Sequence, residues 1–516
     1  MEIEKLIKKD EITNLSNIDF QNVDIDGMSF DSRNPGENKI FFASYGANSD
    51  GNEYINKAVE NNYKIIVTDK EIDDLKNTYN VDFDLIKNNN VSLLKVNEVN
   101  EYLALVCERF YDFPAKELKL VGVTGTNGKT TTTSLIHECL KAFGKKTGLV
   151  GTMEIHYDDE IEASKNTTPD TPKLQSVYRH MLEKNCEYNV MEVSSHSLAL
   201  KRICDEEFEV GVYTNLTEDH LDYHKTMENY RDAKLLLFKK SKNCVINMDT
   251  EYSDFYINSI IEMNKNILIY GIDKENNLKL DEKIKKYKTN KFLIASNVNV
   301  DITGSAFKCT YFNDGKEIST DIKVKTPGEF SVYNALSAVG TLLELGFDLE
   351  EIKNVLVTLP GITGRFQTFT SKDGFGVAVD YAHTPDGLLN ILQTAKSFVK
   401  GNIITVFGCG GDRDKLKRPI MGRIVMELSD IAIVTSDNPR TEDPEQILVD
   451  IEAGMKEFDK EYIKICDRYE ATKKAIELAK PGDFVIIAGK GHEDYQIIGK
   501  EKIHFSDIEN VQNLLK

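Results

Sequence analysis

Residues 121–143 read VGVTGTNGKTTTTSLIHECLKAF and carry the densest chemistry in the chain. Residues 118–123 form a short, mostly apolar run of β type. Gly125, Thr126, Asn127, Gly128, Lys129, Thr130 and Thr131 follow at once, and residues 134–143 have helical apolar spacing with Gly144 as a stop. Strand, glycine loop and helix is the setting in which a Gly-Lys-Thr run binds phosphate, because backbone N–H groups and a helix N-terminus point at the anion. Lys129 would reach the terminal phosphates and the Thr130 hydroxyl would hold a magnesium ion. Position 123 is Val, so the strict G-x-x-x-x-G-K-[ST] pattern is replaced by the shorter GTNGKT form. A plain glycine-rich turn would leave the Lys and the hydroxyl unexplained. The chain is therefore expected to handle a nucleoside triphosphate.

Further groups belong near such a loop. Glu192 ends the strand-like run 188–193, where a P-loop protein places a second magnesium-holding acid. His220 lies in TEDHLD and Lys234 in YRDAK; read alone, a structural histidine and an exposed helix lysine are the ordinary interpretations.

The elements that must position these residues follow from composition and spacing. At 516 residues, with 41% hydrophobic and 29% charged residues, the chain reads as a globular protein of about three domains. No apolar run approaches the ~20 residues of a membrane span, and the charged N-terminus reads as no signal peptide. Eight scattered cysteines form no C-x-x-C pair, which points to reduced thiols and a cytoplasmic setting. The net charge of −20 argues against nucleic acid and anionic membrane as partners.

Residues 1–115 read as a small α/β domain with strands at 40–43 and 65–67 and a helix at 54–59. Residues 116–359 alternate strand, loop and helix, the mark of a doubly wound, mainly parallel sheet, then change to short antiparallel strands at 290–325. Residues 360–516 alternate again. Their strands at 376–379, 403–407, 431–435 and 484–488 each end in a polar loop: DYAHTP, GCGGDRD, SDNPR and GKGHE. Ligands bind outside the carboxyl ends of parallel strands, so four such loops on one edge would build one site.

DSR…DG, GTNGKTT, MEVSSH, TEDHLDYH, YRDAK, DYAHTPD, GGDRD, DNPR and GKGHED occur in one order over the whole length. In this the chain resembles the Mur ligases, which add amino acids to the peptidoglycan precursor, and most closely the branch that adds the third residue. The resemblance implies three α/β domains: a small N-terminal one for the UDP moiety, a central P-loop ATPase and a Rossmann-like C-terminal one. It implies that ATP phosphorylates a peptide carboxylate and that an incoming amino group attacks the acyl phosphate. It also implies roles. Lys129, Glu192, His220 and Lys234 are catalytic, with Thr130, Glu192, His220 and a carbamylated Lys234 serving Mg²⁺. ATP is met by the 125–131 loop, Asn334, Arg365, Asp380 and His383. The UDP-N-acetylmuramoyl dipeptide is met by Ser32, Asn48, Thr167, Thr168, Ser194 and Arg202. The incoming diamino acid is met by Arg413, Asp437, Asn438, Pro439, Arg440, Gly489 and Glu493. A monomer is expected. Position 200 is Leu where related ligases can carry Gln, and Pro35-Gly36 sits earlier than in the common pattern.

Arg440 carries the choice of amino acid. Meso-diaminopimelate differs from lysine by a distal carboxylate, which an arginine fork matches in two parallel hydrogen bonds. The same arginine repels the distal ammonium of lysine. DNPR is also the form typical of diaminopimelate-adding ligases, and Glu493 suits the distal ammonium. L-Lysine and the isostere meso-lanthionine stay open as alternatives. So does a folylpolyglutamate synthase-like ligase, against which an N-terminal UDP domain counts. A P-loop nucleotide-binding switch is the remaining class, but no Asn-Lys pair here is followed by the Asp of an N-K-x-D guanine motif.

Overall fold

A parallel strand covered by helices on both faces must be apolar throughout, and the strand leading into the glycine loop, Lys119–Thr124, is buried from Leu120 onward. The computed structural model describes residues 1–46, 49–203, 206–274, 282, 285–287 and 289–516. The chain forms two compact units. The first is Met1–Tyr270 with Tyr287–Thr289 and Gly340–Gly346; the second is Gly271–Lys286 with Asn290–Val339 and Phe347–Lys516.

The first unit holds two sheets. The N-terminal one runs in the order Thr13–Asn14, Ser92–Lys95, Ile65–Thr68, Lys39–Phe42, Gly27–Ser29, parallel except for its first strand. The larger one orders its parallel strands Asn266–Ile272, Ser241–Asn247, Phe208–Tyr213, Lys119–Thr124, Tyr188–Glu192, Thr147–Val150. An antiparallel ribbon, Glu154–Tyr157 and Glu160–Ala163, follows. The chain moves from Lys119–Thr124 outward to Thr147–Val150, back to Tyr188–Glu192, and then crosses to Phe208–Tyr213. The strand order therefore reverses beside Lys119–Thr124, and a crevice at such a switch point is where an open α/β sheet takes its ligand.

The helix after the glycine loop starts earlier than its apolar spacing indicates, at Lys129 and not at Ser134. Its first turn is a run of lysine and threonines, and apolar periodicity is blind to a turn whose outer face is polar. Gly128, at φ +84°, begins it. The Thr133 hydroxyl bonds back to the carbonyls of Lys129 and Thr130, both at 3.0 Å.

In the second unit, the alternation at 290–325 is three long antiparallel strands, Lys291–Asp301, Gly304–Asn313 and Lys316–Val324. A six-stranded sheet follows in the order Gln367–Thr370, Gly376–Asp380, Phe484–Ala488, Ile403–Phe407, Ile431–Val434, Ile463–Lys464. All but the first pair are parallel, so the four expected polar loops leave one edge together. A ribbon absent from the sequence reading, Tyr495–Ile498 and Glu501–His504, pairs beyond that edge.

Two buried arginines tie this edge down. Arg468 donates to both carboxylate oxygens of Asp507, at 2.9 and 2.7 Å, and to the Ala488 carbonyl at 2.9 Å. Arg418 spans Glu442 and Asp450 and reaches the Gly410 carbonyl. The Arg418 guanidinium, with the Asp412 N–H, holds the Glu442 carboxyl down to about 2. Both side chains of the Arg468–Asp507 pair are fully inaccessible, so removing one partner strands a charge in the core. Arg468→Met is expected to cost about 3–5 kcal/mol of unfolding free energy in urea titration of the transition that reports this unit.

His137, on the helix Lys129–Ala142, is buried with its ring edge-on to His156, centroids 5.1 Å apart. Burial, then the His156 and Lys141 charges, lower its imidazole from 6.5 to about 3. The unfolded chain then binds more protons, so this stability is full above pH 6.5 and is lost as the pH falls towards 3. Acid titration of the first unit should show a fall of up to about 1.4 kcal/mol per pH unit, which His137→Leu flattens.

Candidate functional site

In the first unit the glycine loop is braced by the segment that follows strand Phe208–Tyr213. A Cβ at Gly125 would lie 1.9 Å from the Thr214 hydroxyl and 3.0 Å from the Asn215 carbonyl, so a side chain there would drive the two segments apart. Thr126 N–H donates to the Asn215 carbonyl at 2.9 Å, Asn127 N–H to Asn215 Oδ1 at 2.9 Å, and Thr214 Oγ1 to the Asn127 carbonyl at 2.7 Å. Lys129 folds back over the loop and donates to the Gly125 and Thr126 carbonyls at 2.9 and 2.8 Å. Thr130 and Thr131 lie half-exposed in the first turn of the helix. The loop is thereby fixed while its cation and its helix N-terminus stay at the surface.

Glu192 ends its strand directly beside Val123. Its carboxylate is buried and accepts from the Thr152 N–H at 2.9 Å and the Thr152 hydroxyl at 3.1 Å. Four of the residues expected to meet the dipeptide gather around it. Thr152 Oγ1 lies 3.1 Å from Thr167 Oγ1, whose hydroxyl can donate to it. Thr168 Oγ1 donates to the Glu192 carbonyl at 2.8 Å and accepts from Ser194 N–H at 3.1 Å, and Arg202 Nη1 donates to the Thr168 carbonyl at 3.1 Å. Burial pushes the Arg202 guanidinium below its ordinary value. Ser32 lies apart from them, after strand Gly27–Ser29, where its carbonyl accepts from Asn61. Asn48 falls outside the described residues.

Lys234 is fully buried, against its ordinary reading as a surface helix lysine. Its Nζ donates to the Gly125 carbonyl at 2.9 Å and sits 4.6 Å from the Tyr230 ring centroid. Burial, and then the charge of Lys129, push its ammonium well below the ordinary value. That shift moves the amine towards its uncharged, nucleophilic form. His220, at φ +53°, stacks edge-on with His196 at 4.8 Å, and burial lowers its imidazole, with Lys234 and Lys129 adding to the effect. His224 bonds Ser195 Oγ at 2.9 Å, and burial brings its imidazole to about 4. Tyr230 links this cluster to the loop, its hydroxyl 3.2 Å from Thr126 Oγ1. A cavity of about 550 Å³ lined by Tyr223, His224, Asn229 and Asp232 opens beside the histidines. The sequence reading missed Thr152, Tyr230, His196 and His224; only the density of histidines in 196–224 hinted at them.

In the second unit Asp380 is buried at the end of its strand. It accepts from the backbone N–H groups of Phe366 and Ala382, both at 2.7 Å. Burial raises its carboxyl, opposed by Arg365. Arg365 lies over the Tyr381 ring at 5.2 Å, and His383 Nδ1 donates to the Tyr381 carbonyl at 2.9 Å. Asn334 is buried on the helix Glu329–Glu344.

The remaining loops of this edge close on one another. Arg440 adopts φ +50°, held by its N–H to the Ile497 carbonyl at 3.0 Å and its carbonyl to the Gly499 N–H at 2.7 Å. Its Nη1 donates to the Gly411 carbonyl at 2.9 Å. Asp437 and Asn438 are buried, and Asn438 Nδ2 donates to Glu493 Oε2 at 2.9 Å. Pro439 packs so tightly that a Cβ at Gly411 would meet its carbonyl at 1.9 Å. Gly489 faces Asp437 in the same way, and Arg413 is exposed with Nη1 on the Asp412 carbonyl. A cation fork, an amide and a carboxylate thus share one strand edge, an arrangement suited to an amino acid charged at its far end. Lys490 and the ribbon at Tyr495–Ile498 went unnoticed in the sequence; the GKG triplet was their only signal.

Among the described residues no helix is long and apolar enough to cross a membrane. The family model for the Mur ligase middle domain matches residues 123–342, and that for the Mur ligase glutamate ligase domain matches residues 364–491. The chain is 41% identical to the UDP-N-acetylmuramoyl-L-alanyl-D-glutamate--2,6-diaminopimelate ligase of Clostridium botulinum (strain ATCC 19397 / Type A), covering 96% of this chain and 95% of that protein. It is equally 41% identical to the ligase of the same name from Clostridium tetani (strain Massachusetts / E88), covering 100% and 99%. A solved structure of a UDP-N-acetylmuramoyl-L-alanyl-D-glutamate--2,6-diaminopimelate ligase matches with a TM-score of 0.66 at 29% identity, over 100% of this chain and 98% of that one. With ordered motifs, matching domain models and likeness along its whole length, the chain belongs to the Mur ligase family.

Proposed function

We propose that this chain is an ATP-dependent amide ligase that joins meso-diaminopimelate to the D-glutamyl carboxylate of UDP-N-acetylmuramoyl-L-alanyl-D-glutamate in peptidoglycan precursor synthesis. The observation that carries the choice of amino acid is the 437–440 loop. Arg440 stands on the same strand edge as Glu493, giving one group for a distal carboxylate and one for an ammonium. Relatives named for this activity match at 41% identity, N-terminal sheet included, which leaves the folylpolyglutamate and switch-protein readings without support.

The chemistry follows from the residues. The N–H groups opening helix Lys129–Ala142 hold the ATP phosphates, and Lys129 turns from the loop carbonyls to the terminal phosphate. Asn334, Arg365, Asp380 and His383 take the rest of the nucleotide. Ser32, Asn48, Thr167, Thr168, Ser194 and Arg202 take the UDP-sugar peptide. Its carboxylate attacks the γ-phosphorus and breaks the bond to the β-phosphate, so that ADP leaves; the amino group of the incoming residue then attacks the acyl carbon, loses a proton and displaces inorganic phosphate to leave the amide. Arg413, Asp437–Arg440, Gly489 and Glu493 orient that residue. Thr130 and Glu192 offer hard oxygens that fit Mg²⁺, with His220 and a carbamylated Lys234 at a second position. When bound, magnesium neutralises charge as two anions approach. Lys234 suits carbamylation because burial shifts its amine towards the uncharged form, the one that adds CO₂. The three functional regions are 1–115, 116–359 and 360–516, and the enzyme works as a cytoplasmic monomer without nucleic acid or membrane.

Phosphate release with the UDP-dipeptide, MgATP and each candidate amino acid tests this reading. Release should require meso-diaminopimelate, with L-lysine poor. Arg440→Ala should raise the KM for diaminopimelate by roughly ten- to hundredfold, the loss of a charged hydrogen-bond pair. Equal rates with lysine would end the argument from Arg440, and preferential turnover of meso-lanthionine would reassign the substrate. In ¹³C-bicarbonate the protein should show a carbamate carbonyl resonance that Lys234→Ala abolishes, with turnover falling at least about a hundredfold.

A further inference from the structure

We propose that Lys490 is a positioning residue of the amino-acid site: a fully buried ammonium that locks Asn438 and Glu493 in the orientation that receives the incoming diamino acid. The inference rests on reading the 437–440 and 489–493 loops as that site.

Lys490 lies between two glycines that are both in the left-handed region, Gly489 at φ +122° and Gly491 at φ +53°. A Cβ at Gly489 would lie 2.7 Å from Asp437 Oδ2, and one at Gly491 would lie 2.7 Å from the Gly364 carbonyl. The turn leaves the lysine side chain wholly inaccessible. Its Nζ donates to Glu493 Oε2 at 2.9 Å and to Asn438 Oδ1 at 3.2 Å, with Asp437 Oδ1 at 3.7 Å.

These contacts decide how the ligand-facing groups point. Asn438 Oδ1 accepts from both Lys490 and the Ile497 N–H, while its Nδ2 donates to Glu493. A flipped amide would set its NH₂ against an ammonium and an N–H, so only one orientation is satisfied. Glu493 Oε2 receives both Lys490 and Asn438. Its Oε1 meets the Tyr495 hydroxyl at 3.3 Å, a longer contact that leaves acceptor capacity for a ligand ammonium. The Lys490 Nζ also stands between the Glu493 and Asp437 carboxylates and occupies Glu493 Oε2, so Oε1 is the oxygen left to face a ligand ammonium. Without Lys490 two carboxylates would repel each other and turn Glu493 away.

The test is steady-state kinetics of the full-length Lys490→Met variant with MgATP, the UDP-dipeptide and meso-diaminopimelate. The KM for diaminopimelate should rise roughly ten- to hundredfold, while those for ATP and the UDP-dipeptide stay within about twofold. An unchanged diaminopimelate KM, or an equal rise in all three, would overturn the proposal. Glu493→Gln with and without Lys490→Met supplies a second measurement in which the buried charges are removed together. A lysine acting through Glu493 adds less than about threefold to the KM of the single variant, and a further tenfold rise would overturn it. No diamino-acid-dependent phosphate release from the unaltered enzyme would instead remove the underlying site reading.

Discussion

Parallel strands covered on both faces leave polar chemistry one place to go, the carboxyl edge of the sheet, and each unit depends on that constraint. Lys119–Thr124 and Tyr188–Glu192 are buried along almost their whole length, and the first polar functions they release are the glycine loop and the Glu192 carboxylate. Gly376–Asp380 and Phe484–Ala488 are equally buried and release Asp380 and the 489–493 loop. Backbones that emerge side by side must then pass very close. A methyl group at Gly125 or Gly411 would collide with the neighbouring loop at 1.9 Å. Close approach makes the loops mutually supporting, so the groups they carry are preorganised before a ligand arrives.

Electrostatics follow from the same geometry. A chain with a net charge of −20 that handles phosphates and carboxylates must do so with a few well-placed cations. Their surroundings divide their work. Lys129 is half-buried, its Nζ on the Gly125 and Thr126 carbonyls of its own loop. Lys234, one layer below and sharing the Gly125 carbonyl with it, is pushed towards its uncharged form. Lys490 is as deeply buried but donates to Glu493 and the Asn438 oxygen, with Asp437 Oδ1 at 3.7 Å. Three lysines thus sit in three different surroundings.

The glycine loop, the strand runs of both parallel sheets and the antiparallel alternation at 290–325 were legible from period and punctuation. Strands Ile403–Phe407 and Phe484–Ala488 fall where their apolar runs place them. The helix start at Lys129 was not legible, because a polar first turn carries no apolar signal. Nor was the burial of Lys234, since amino-acid type alone reads a helix lysine as exposed. The ribbon Tyr495–Ile498 with Glu501–His504 escaped because its strands are short and mostly exposed.

What the sequence determined by itself is therefore the inventory: a phosphate loop, an acid at the end of a strand, four polar loops in fixed order, and the family to which that order belongs. These are local properties, written in residue type and spacing. The tertiary structure alone decided the partnerships: Glu192 with Thr152, Tyr230 with Thr126, Lys490 with Asn438, Arg468 with Asp507. Those pairs lie as far apart in the chain as residues 126 and 230. They meet because sheet order, which depends on the packing of whole helices and strands, brings remote strand ends to one edge.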